Sequence, residues 1–314
     1  MKFEVTILGS SSATPIYNRN PTSQALNINE RLYLIDCGEG TQQQMLRFDV
    51  KGSRIDYIFI SHLHGDHYLG LVGLLSSLHL NGRKKELGLF CPAPLKEIID
   101  LQLKYSDTEL QYELIYKFTD AQKAEVILDN SDCTVESIPL KHGIACTGFL
   151  FKEKKRLRKL IKEKLEDLKI PVEYFSALKK GADYTAPDGT VLKNETLTID
   201  SDQPKSYAYC SDTMYDESYH QQIAGVTLLY HEATFLNNML ERANETNHTT
   251  ALQAGEIALK TGAHKLLIGH FSARYKTLNE LLDEARSVFP DTELAIEGKT
   301  FFIGELGEGV HSFL

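Results

Sequence analysis

Residues 61–67 read Ser-His-Leu-His-Gly-Asp-His and directly follow the apolar run at residues 57–60. The run is typical of a short buried strand, so the polar stretch is predicted to lie on the loop that leaves it. Imidazole nitrogens and carboxylate oxygens are ligands that Zn²⁺ accepts, and one cation can hardly take four side chains from so short a loop. The stretch therefore predicts two adjacent metal ions; the alternative is a solvated, His-rich turn. The four potential ligands are His62, His64, Asp66 and His67.

Four more polar residues each follow a short apolar run further along the chain: His142, Asp212, Glu232 and His270. In open α/β sheets, sites form outside the carboxyl ends of the strands, so we expect these residues to converge on one rim. Taken singly, each is equally well an ordinary hydrogen-bonded residue at the end of a strand. Together with the 61–67 loop they predict a metal site built from distant parts of the chain.

The composition describes an ordinary soluble globular protein. The chain has 314 residues, 42% hydrophobic and 25% charged, enough for one large α/β domain or two smaller ones. No apolar run approaches the roughly 20 residues that span a bilayer, and the N-terminus resembles a strand rather than a signal peptide. The five cysteines contain no C-x-x-C pair, which favours reduced thiols and a cytoplasmic location.

Charge is unevenly distributed along the chain. The net charge is −9, which by itself argues weakly against a phosphate-rich partner. Residues 152–164, however, contain eight Lys or Arg and two Glu, a local net charge of +6 that leaves −15 for the rest. Leucine and isoleucine recur there at helical spacing from Leu157 to Leu168, which predicts an amphipathic helix in an arm inserted at about residues 151–194. The alternative is a solvated helix face without a partner.

Local patterns predict several further elements. A hairpin is expected at residues 25–29 and 31–36, followed by a short helix that Thr41 caps. Thr277 and Glu280 are predicted to form a capping box for a helix that ends at Val288. Other predicted elements are helices at residues 69–80, Pro94–Tyr105 and 250–260 and a strand at Cys133–Leu140.

The motif H-x-H-x-D-H at residues 62–67, preceded by the acidic strand end Asp36, resembles the signature of the metallo-β-lactamase family. Within that family the chain most resembles the ribonuclease Z branch, and the resemblance spans residues 9–270. It implies an α/β chain folded as a four-layer αββα sandwich with an inserted basic arm. It also implies two Zn²⁺ per subunit: one on His62, His64 and His142, one on Asp66, His67 and His270, with Asp212 bridging them.

Residues 231–234, His-Glu-Ala-Thr, are similar to a ribonuclease Z motif, and His248 matches the downstream histidine of that family. A Glu232–His248 pair at the edge of the site can keep an imidazole protonated, ready to donate to a leaving 3′ oxygen. The resemblance thus implies Asp66, Glu232 and His248 as catalytic residues. The alternative for the pair is a polar contact beside the start of the helix near residue 250.

Two further segments are similar to substrate-binding parts of the family. The loop at residues 15–20 resembles P-x-K-x-R-N, with Arg19 and Asn20 kept and Tyr17 where lysine is expected. The basic arm resembles the arm that grips the tRNA elbow, although it lacks the usual Gly-Pro pair. The implied RNA-binding residues are Arg19, Asn20, Lys154, Lys155, Arg156, Arg158 and Lys159.

The sequence therefore predicts a zinc-dependent endoribonuclease that cleaves precursor tRNA on its 3′ side. The resemblance also implies a homodimer in which each arm serves the partner's site, and a cytoplasmic protein without a membrane segment is expected. Two rival functions stay open: a hydrolase of small phosphodiesters or aryl sulfates on the same scaffold, and a zinc-stabilised RNA-binding protein without catalysis. The remaining histidines outside these motifs are interpreted as structural or surface residues: His79, His220, His264 and His311.

Overall fold

The structure, a computed structural model, describes residues 2–304. These residues divide into two compact units. The larger unit comprises residues 2–152 and 205–304, and the smaller one, Glu153–Pro204, is inserted between them. Among the described residues, no helix has both the length and the apolar character needed to cross a bilayer.

The described residues form eighteen strands and ten α-helices. The strands are β1 (Phe3–Gly9), β2 (Ser23–Ile28), β3 (Arg31–Ile35), β4 (Ile55–Phe59), β5 (Leu87–Cys91), β6 (Leu114–Phe118), β7 (Val126–Asp129), β8 (Cys133–Leu140), β9 (Cys146–Glu153), β10 (Lys159–Leu160), β11 (Tyr184–Thr185), β12 (Val191–Leu192), β13 (Thr198–Ile199), β14 (Ser206–Cys210), β15 (Leu228–Glu232), β16 (Leu266–Gly269), β17 (Thr292–Leu294) and β18 (Thr300–Phe302). The α-helices are α1 (Thr41–Arg47), α2 (Gly65–Tyr68), α3 (Leu71–Leu80), α4 (Pro94–Tyr105), α5 (Lys162–Asp167), α6 (Phe175–Lys179), α7 (Asn194–Leu197), α8 (Leu240–Glu245), α9 (Ala251–Thr261) and α10 (Asn279–Val288). Short 3₁₀ turns occur at Gly52–Arg54, Val172–Tyr174 and Asn237–Met239.

The larger unit contains two seven-stranded sheets. The first has the order β18-β1-β2-β3-β4-β5-β6, and the second has the order β17-β16-β15-β14-β9-β8-β7. Strands β3 to β6 run parallel in the first sheet, and β14 to β17 run parallel in the second. Parallel strands bring their carboxyl ends to the same edge, which is the edge where the predicted site residues follow.

Side chains from both sheets share one core between them. In β1, Val5 and Ile7 point into this core, and Tyr209 and Tyr230 of the second sheet contribute to it. The outer face of the first sheet packs on α1, α3 and α4, and the outer face of the second packs on α9 and α10. Helices thus cover both sheets, because each sheet has apolar side chains on both faces. The predicted four-layer αββα sandwich is confirmed.

The smaller unit has its own small core. Leu165, Ile170, Leu178, Tyr184 and Leu197 are buried together there. Two strand pairs, β10 with β13 and β11 with β12, complete it.

The predicted amphipathic helix of the arm is wrong in extent. Residues 154–158 are not helical, β10 pairs with β13, and the helix α5 is limited to Lys162–Asp167. Of the leucines at helical spacing, Leu165 is buried, whereas Leu157 and Leu168 are exposed. The spacing alone could not reveal that Lys159 pairs with Ile199 and Leu160 with Thr198, 40 and 38 residues further along the chain.

Two predicted helix caps are also wrong, although the helices exist. Gly40 rather than Thr41 precedes α1, and Thr41 instead donates its hydroxyl to the Gly38 carbonyl over 2.7 Å. The predicted pair Thr277 and Glu280 does not cap α10, which starts after Leu278 without a side-chain cap. The hairpin, α4 and β8 lie where the sequence predicts them.

Candidate metal centre

Strand ends place the candidate ligands. His62 lies three residues after β4, His142 two residues after β8 and Asp212 two residues after β14. His270 directly follows β16, and the single turn α2 carries Asp66 and His67. The expected convergence of strand-end residues on one rim is found.

Three residues that follow strands β3, β14 and β16 have an unusual backbone. Asp36, Asp212 and His270 have φ angles of 56°, 60° and 59°. Non-glycine residues seldom adopt this left-handed region, although Asp and His tolerate it better than most. All three are buried, so the surrounding fold holds them in this conformation. Such concentrated backbone strain is typical of functional sites.

The first cluster consists of three imidazoles and one carboxylate. The Nε2 atoms of His62 and His142 each lie 3.1 Å from Nδ1 of His64. Oδ1 of Asp212 lies 3.8 Å from the same two Nε2 atoms. One ligand atom from each of the four residues lies within 4.8 Å of the others, close enough for one cation.

The second cluster adjoins the first. Oδ2 of Asp66 lies 3.5 Å from Nε2 of both His67 and His270. The other oxygen of Asp212, Oδ2, lies 3.1 Å from His67 Nε2 and 3.3 Å from His270 Nε2. Asp212 therefore presents one carboxylate oxygen to each cluster.

The imidazole nitrogens fit metal ligation. Within residues 2–304, the Nε2 atoms of His67 and His270 are buried and form no hydrogen bond, although carboxylate oxygens of Asp212 and Asp66 lie beside them. Their Nδ1 atoms are occupied: His67 bonds Asp36 over 2.8 Å, and His270 lies 3.0 Å from the hydroxyl of Thr234. A ring held through one nitrogen with the other directed at a shared point is the usual arrangement of a metal-binding histidine.

Electrostatics favour the ligand forms of His62 and Asp212, and they favour positive charge on His67. Burial lowers the pKa of His62 well below its ordinary value, which keeps this imidazole neutral. Burial opposes ionisation of Asp212, but the neighbouring His270 and His67 hold the pKa of this carboxyl well below its ordinary value. Burial also opposes charge on His67, yet the carboxylates of Asp212, Asp66 and Asp36 raise its pKa. These carboxylates attract positive charge, which a divalent cation would supply.

Glu232 and His248 form the predicted pair beside the clusters. The two carboxylate oxygens of Glu232 lie 3.0 and 3.1 Å from Nδ1 of His248. Burial alone would lower the pKa of His248, but the Glu232 carboxylate outweighs it and raises that pKa to about 9. The backbone amides of Thr213 and Thr249 also donate to Glu232, over 2.6 and 3.1 Å. His248 is therefore protonated at neutral pH, and its Nδ1 lies 4.0 Å from Asp212 Oδ1.

The loop at residues 10–20 contacts the second cluster directly. The backbone amide of Ala13 donates to Asp66 Oδ2 over 2.7 Å. The amide of Asn20 donates to Glu297 Oε1 over 2.6 Å, which fastens the far end of the loop. The loop therefore orients a carboxylate of the site.

The side chain of Arg19 anchors the same loop through a buried guanidinium. Its guanidinium is buried and donates to the carbonyls of Tyr275, over 2.8 Å, and Ser272, over 3.4 Å. These contacts connect the loop to the segment after His270. The RNA contacts expected of Arg19 and Asn20 stay predictions, and the described contacts of Arg19 are structural.

Three of the predicted RNA-binding residues in the smaller unit form ion pairs within that unit. Arg158 lies 3.2 Å from Asp200 and donates to the Thr198 hydroxyl over 2.7 Å, and Lys155 lies 3.8 Å from Asp200. Arg156 pairs with Glu153. The predicted RNA contacts of these residues and of Lys154 and Lys159 are not tested by these pairs.

Sequence reasoning did not find every residue that supports the site. Asp36 was singled out only as an acidic strand end, whereas it holds His67 in place. Thr234 donates to Glu232 and approaches His270, a role that its place in the His-Glu-Ala-Thr motif could have suggested. Of the histidines interpreted as structural, His79, His220 and His264 belong to neither cluster, and His311 lies outside the described residues.

Solved structures with the same architecture define the class. Human tRNase Z, short form, superimposes with a TM-score of 0.67 at 24% identity, covering 96% of this chain and all of that one. The metallo-beta-lactamase fold protein YhfI from Bacillus subtilis superimposes with a TM-score of 0.68 at 18% identity, covering 96% and 100%. The two sheets and the His/Asp clusters at their rim thus define a protein of the metallo-β-lactamase fold.

Sequence relatives identify the family. Ribonuclease Z of Bacteroides fragilis is 47% identical over 296 residues, which cover 94% of this chain and 97% of the relative. The chain therefore belongs to the ribonuclease Z family, and the prediction of an endoribonuclease of this type is confirmed. A family profile described as Anti-Pycsar protein Apyc1 also matches residues 3–157, slightly less than half of the chain.

Proposed function

We propose that this protein is a zinc-dependent endoribonuclease that cleaves precursor tRNA on its 3′ side. It leaves a 3′-hydroxyl on the tRNA and a 5′-phosphate on the trailer. Family membership supports the substrate. The observation that carries the mechanism is Asp212, whose two oxygens face two separate histidine clusters.

The ligand atoms of the two clusters suit two cations, one for each cluster. His62, His64 and His142 would bind one Zn²⁺, and Asp66, His67 and His270 the other, with Asp212 between them. Bound there, the two ions would activate water as the nucleophile and neutralise charge on the phosphate. Nitrogen and oxygen ligands in this proportion are what zinc accepts.

The chain's own groups move the protons. Asp66, which the Ala13 amide holds, orients the attacking water. The water gives up one proton to solvent, and as its oxygen joins phosphorus, the bond from phosphorus to the 3′ oxygen of the tRNA breaks. His248 donates a proton to that leaving oxygen, and Glu232 keeps His248 protonated until then.

The smaller unit is proposed to grip the tRNA. The basic stretch at residues 152–164, which lies in this unit except for Lys152, has a local net charge of +6, which suits phosphate contacts that weaken with salt. By family resemblance, two subunits form a cytoplasmic homodimer in which each arm serves the partner's site.

One experiment separates this function from its rivals. The purified protein is analysed for metal and incubated with a precursor tRNA that lacks an encoded CCA, and the products are resolved on a gel. We expect about two Zn²⁺ per chain and one cut at the tRNA 3′ side. Hydrolysis of bis-p-nitrophenyl phosphate without tRNA cleavage would favour a small-substrate phosphodiesterase, and RNA binding without product would favour a non-catalytic protein.

A matched pair of variants tests the metal site itself. Asp212→Ala should abolish cleavage and sharply reduce bound zinc, because both clusters lose their shared carboxylate. Asp216→Ala removes a nearby acid whose partner is Lys141, 3.0 Å away, and should leave both properties intact. Wild-type turnover in Asp212→Ala would refute the two-metal mechanism.

A further inference from the structure

A fully buried carboxylate, Asp36, supports the second cluster from behind. Its Oδ1 accepts the Ser61 amide over 2.7 Å. Its Oδ2 accepts three donors: His67 Nδ1 over 2.8 Å, the Ser61 hydroxyl over 2.9 Å and the Tyr209 hydroxyl over 2.6 Å. A buried charge needs such partners, and the position of Asp36 depends on all of them.

The Tyr209 bond differs from the others because it crosses the sandwich. Asp36, Ser61 and His67 all follow strands β3 and β4 of the first sheet, whereas Tyr209 belongs to β14 of the second. Asp212 lies three residues beyond Tyr209 on the same strand end. This hydroxyl therefore joins the sheet that carries His67 to the sheet that carries Asp212.

We infer that Tyr209 is a positioning residue for the metal centre, acting through Asp36 to set His67 against Asp212. The inference rests on the proposed metal site and adds a residue to it. Hydrogen-bond partners of metal-binding histidines tune metal affinity by orienting the imidazole ring. Asp36 is the direct partner of His67, and Tyr209 is connected to it through Asp36. Loss of the Tyr209 hydroxyl should make the orientation of the His67 ring less fixed without removing a metal ligand.

Two neighbouring tyrosines provide matched controls. Tyr207 lies on the same strand and is equally buried, but its hydroxyl donates to Gln24 rather than to Asp36. Tyr230 stacks on Tyr209 with ring centroids 5.0 Å apart, and its hydroxyl interacts with the Gln24 side chain rather than bonding Asp36. Tyr207→Phe therefore removes a buried hydrogen bond to a neutral amide, and Tyr230→Phe removes a hydroxyl that does not bond Asp36.

The test measures zinc affinity by competition with a chelator, with thermal unfolding of the zinc-stripped proteins alongside. Tyr209→Phe should bind zinc roughly tenfold more weakly, the low end for such partners. Tyr207→Phe and Tyr230→Phe should stay within about twofold. Tyr207→Phe also loses a buried hydrogen bond, so it should lower the melting temperature, although less than Tyr209→Phe, whose partner is a carboxylate. At limiting zinc, Tyr209→Phe should lose cleavage activity that excess zinc restores.

The outcomes separate the inference from the proposed function. If the wild-type protein binds no zinc, both are overturned. If the wild type binds zinc and Tyr209→Phe matches it, or if Tyr207→Phe loses as much affinity, the role of Tyr209 alone is overturned. A double-mutant cycle guards against general destabilisation: in an Asp36→Asn background, Tyr209→Phe should cause little additional loss of affinity. Full additivity would overturn the proposed route through Asp36.

Discussion

Replacing Glu232 by glutamine should lower the pH at which cleavage activity is lost on the alkaline side by more than two pH units. Both oxygens of Glu232 contact His248 Nδ1, and this carboxylate raises the pKa of His248 to about 9 against burial, which lowers it. Glu232→Gln keeps the shape and removes the charge. The pKa of His248 should then fall to its ordinary value of 6.5 or below.

The size of the effect follows from the protonated fraction of His248. At pH 8, a pKa of about 9 leaves about 90% of His248 protonated, whereas a pKa of 6.5 leaves about 3%. If protonated His248 is the acid, Glu232→Gln should lower kcat/KM about 30-fold at pH 8 and less than twofold at pH 6. The folding stability of the wild-type protein should also depend on pH. The raised pKa of His248 stabilises the fold fully below about pH 6.5, and this contribution is lost as the pH rises through about 9.

The assay is single-turnover cleavage of precursor tRNA between pH 5.5 and 10. The control is Glu245→Gln, which removes an exposed carboxylate that pairs with Arg242. A Glu232→Gln profile that is lower at every pH by the same factor would refute the role of Glu232 in holding the proton. It would leave only a structural role for this residue.

Three further predictions address the rest of the molecule. Removing residues 154–203 should weaken tRNA binding and spare hydrolysis of bis-p-nitrophenyl phosphate; equal loss of both would count against an arm that only grips RNA. Gly9→Ala should cost about 3 kcal/mol or more of unfolding free energy in denaturant titrations, because its Cβ would lie 1.7 Å from the Pro21 carbonyl oxygen. Arg19→Ala should lower the melting temperature and leave the salt dependence of tRNA binding unchanged, whereas Lys155→Ala should reduce that slope by about one; a reduced slope in Arg19→Ala would show a phosphate contact.

Much of the site was visible in the sequence because strand ends can be recognised locally. An apolar run followed by a polar residue indicates where a buried strand leaves the core, and this placed His62, His142, Asp212 and His270 on one rim. The same local logic predicted α4 and β8 with their observed bounds. These metal ligands could be proposed without knowing how the two sheets pack.

Other features depend on partners far away in the chain. The leucines of the arm have helical spacing, yet β10 is a strand because β13 pairs with it. Arg19 resembles a surface cation in sequence, and only the carbonyls of Ser272 and Tyr275, more than 250 residues away, show that it is buried. Short-range periodicity contains no information about such contacts.

The sequence by itself determined which side chains are available for the chemistry: a strand-end set of histidines and aspartates and the Glu232–His248 pair. Only the tertiary structure decided how they face one another. It directs one oxygen of Asp212 toward each cluster and ties Asp36 to Tyr209 across the two sheets. The reason is physical: ligand identity belongs to single residues, whereas orientation depends on hydrogen bonds between strands that meet only after the two sheets have packed.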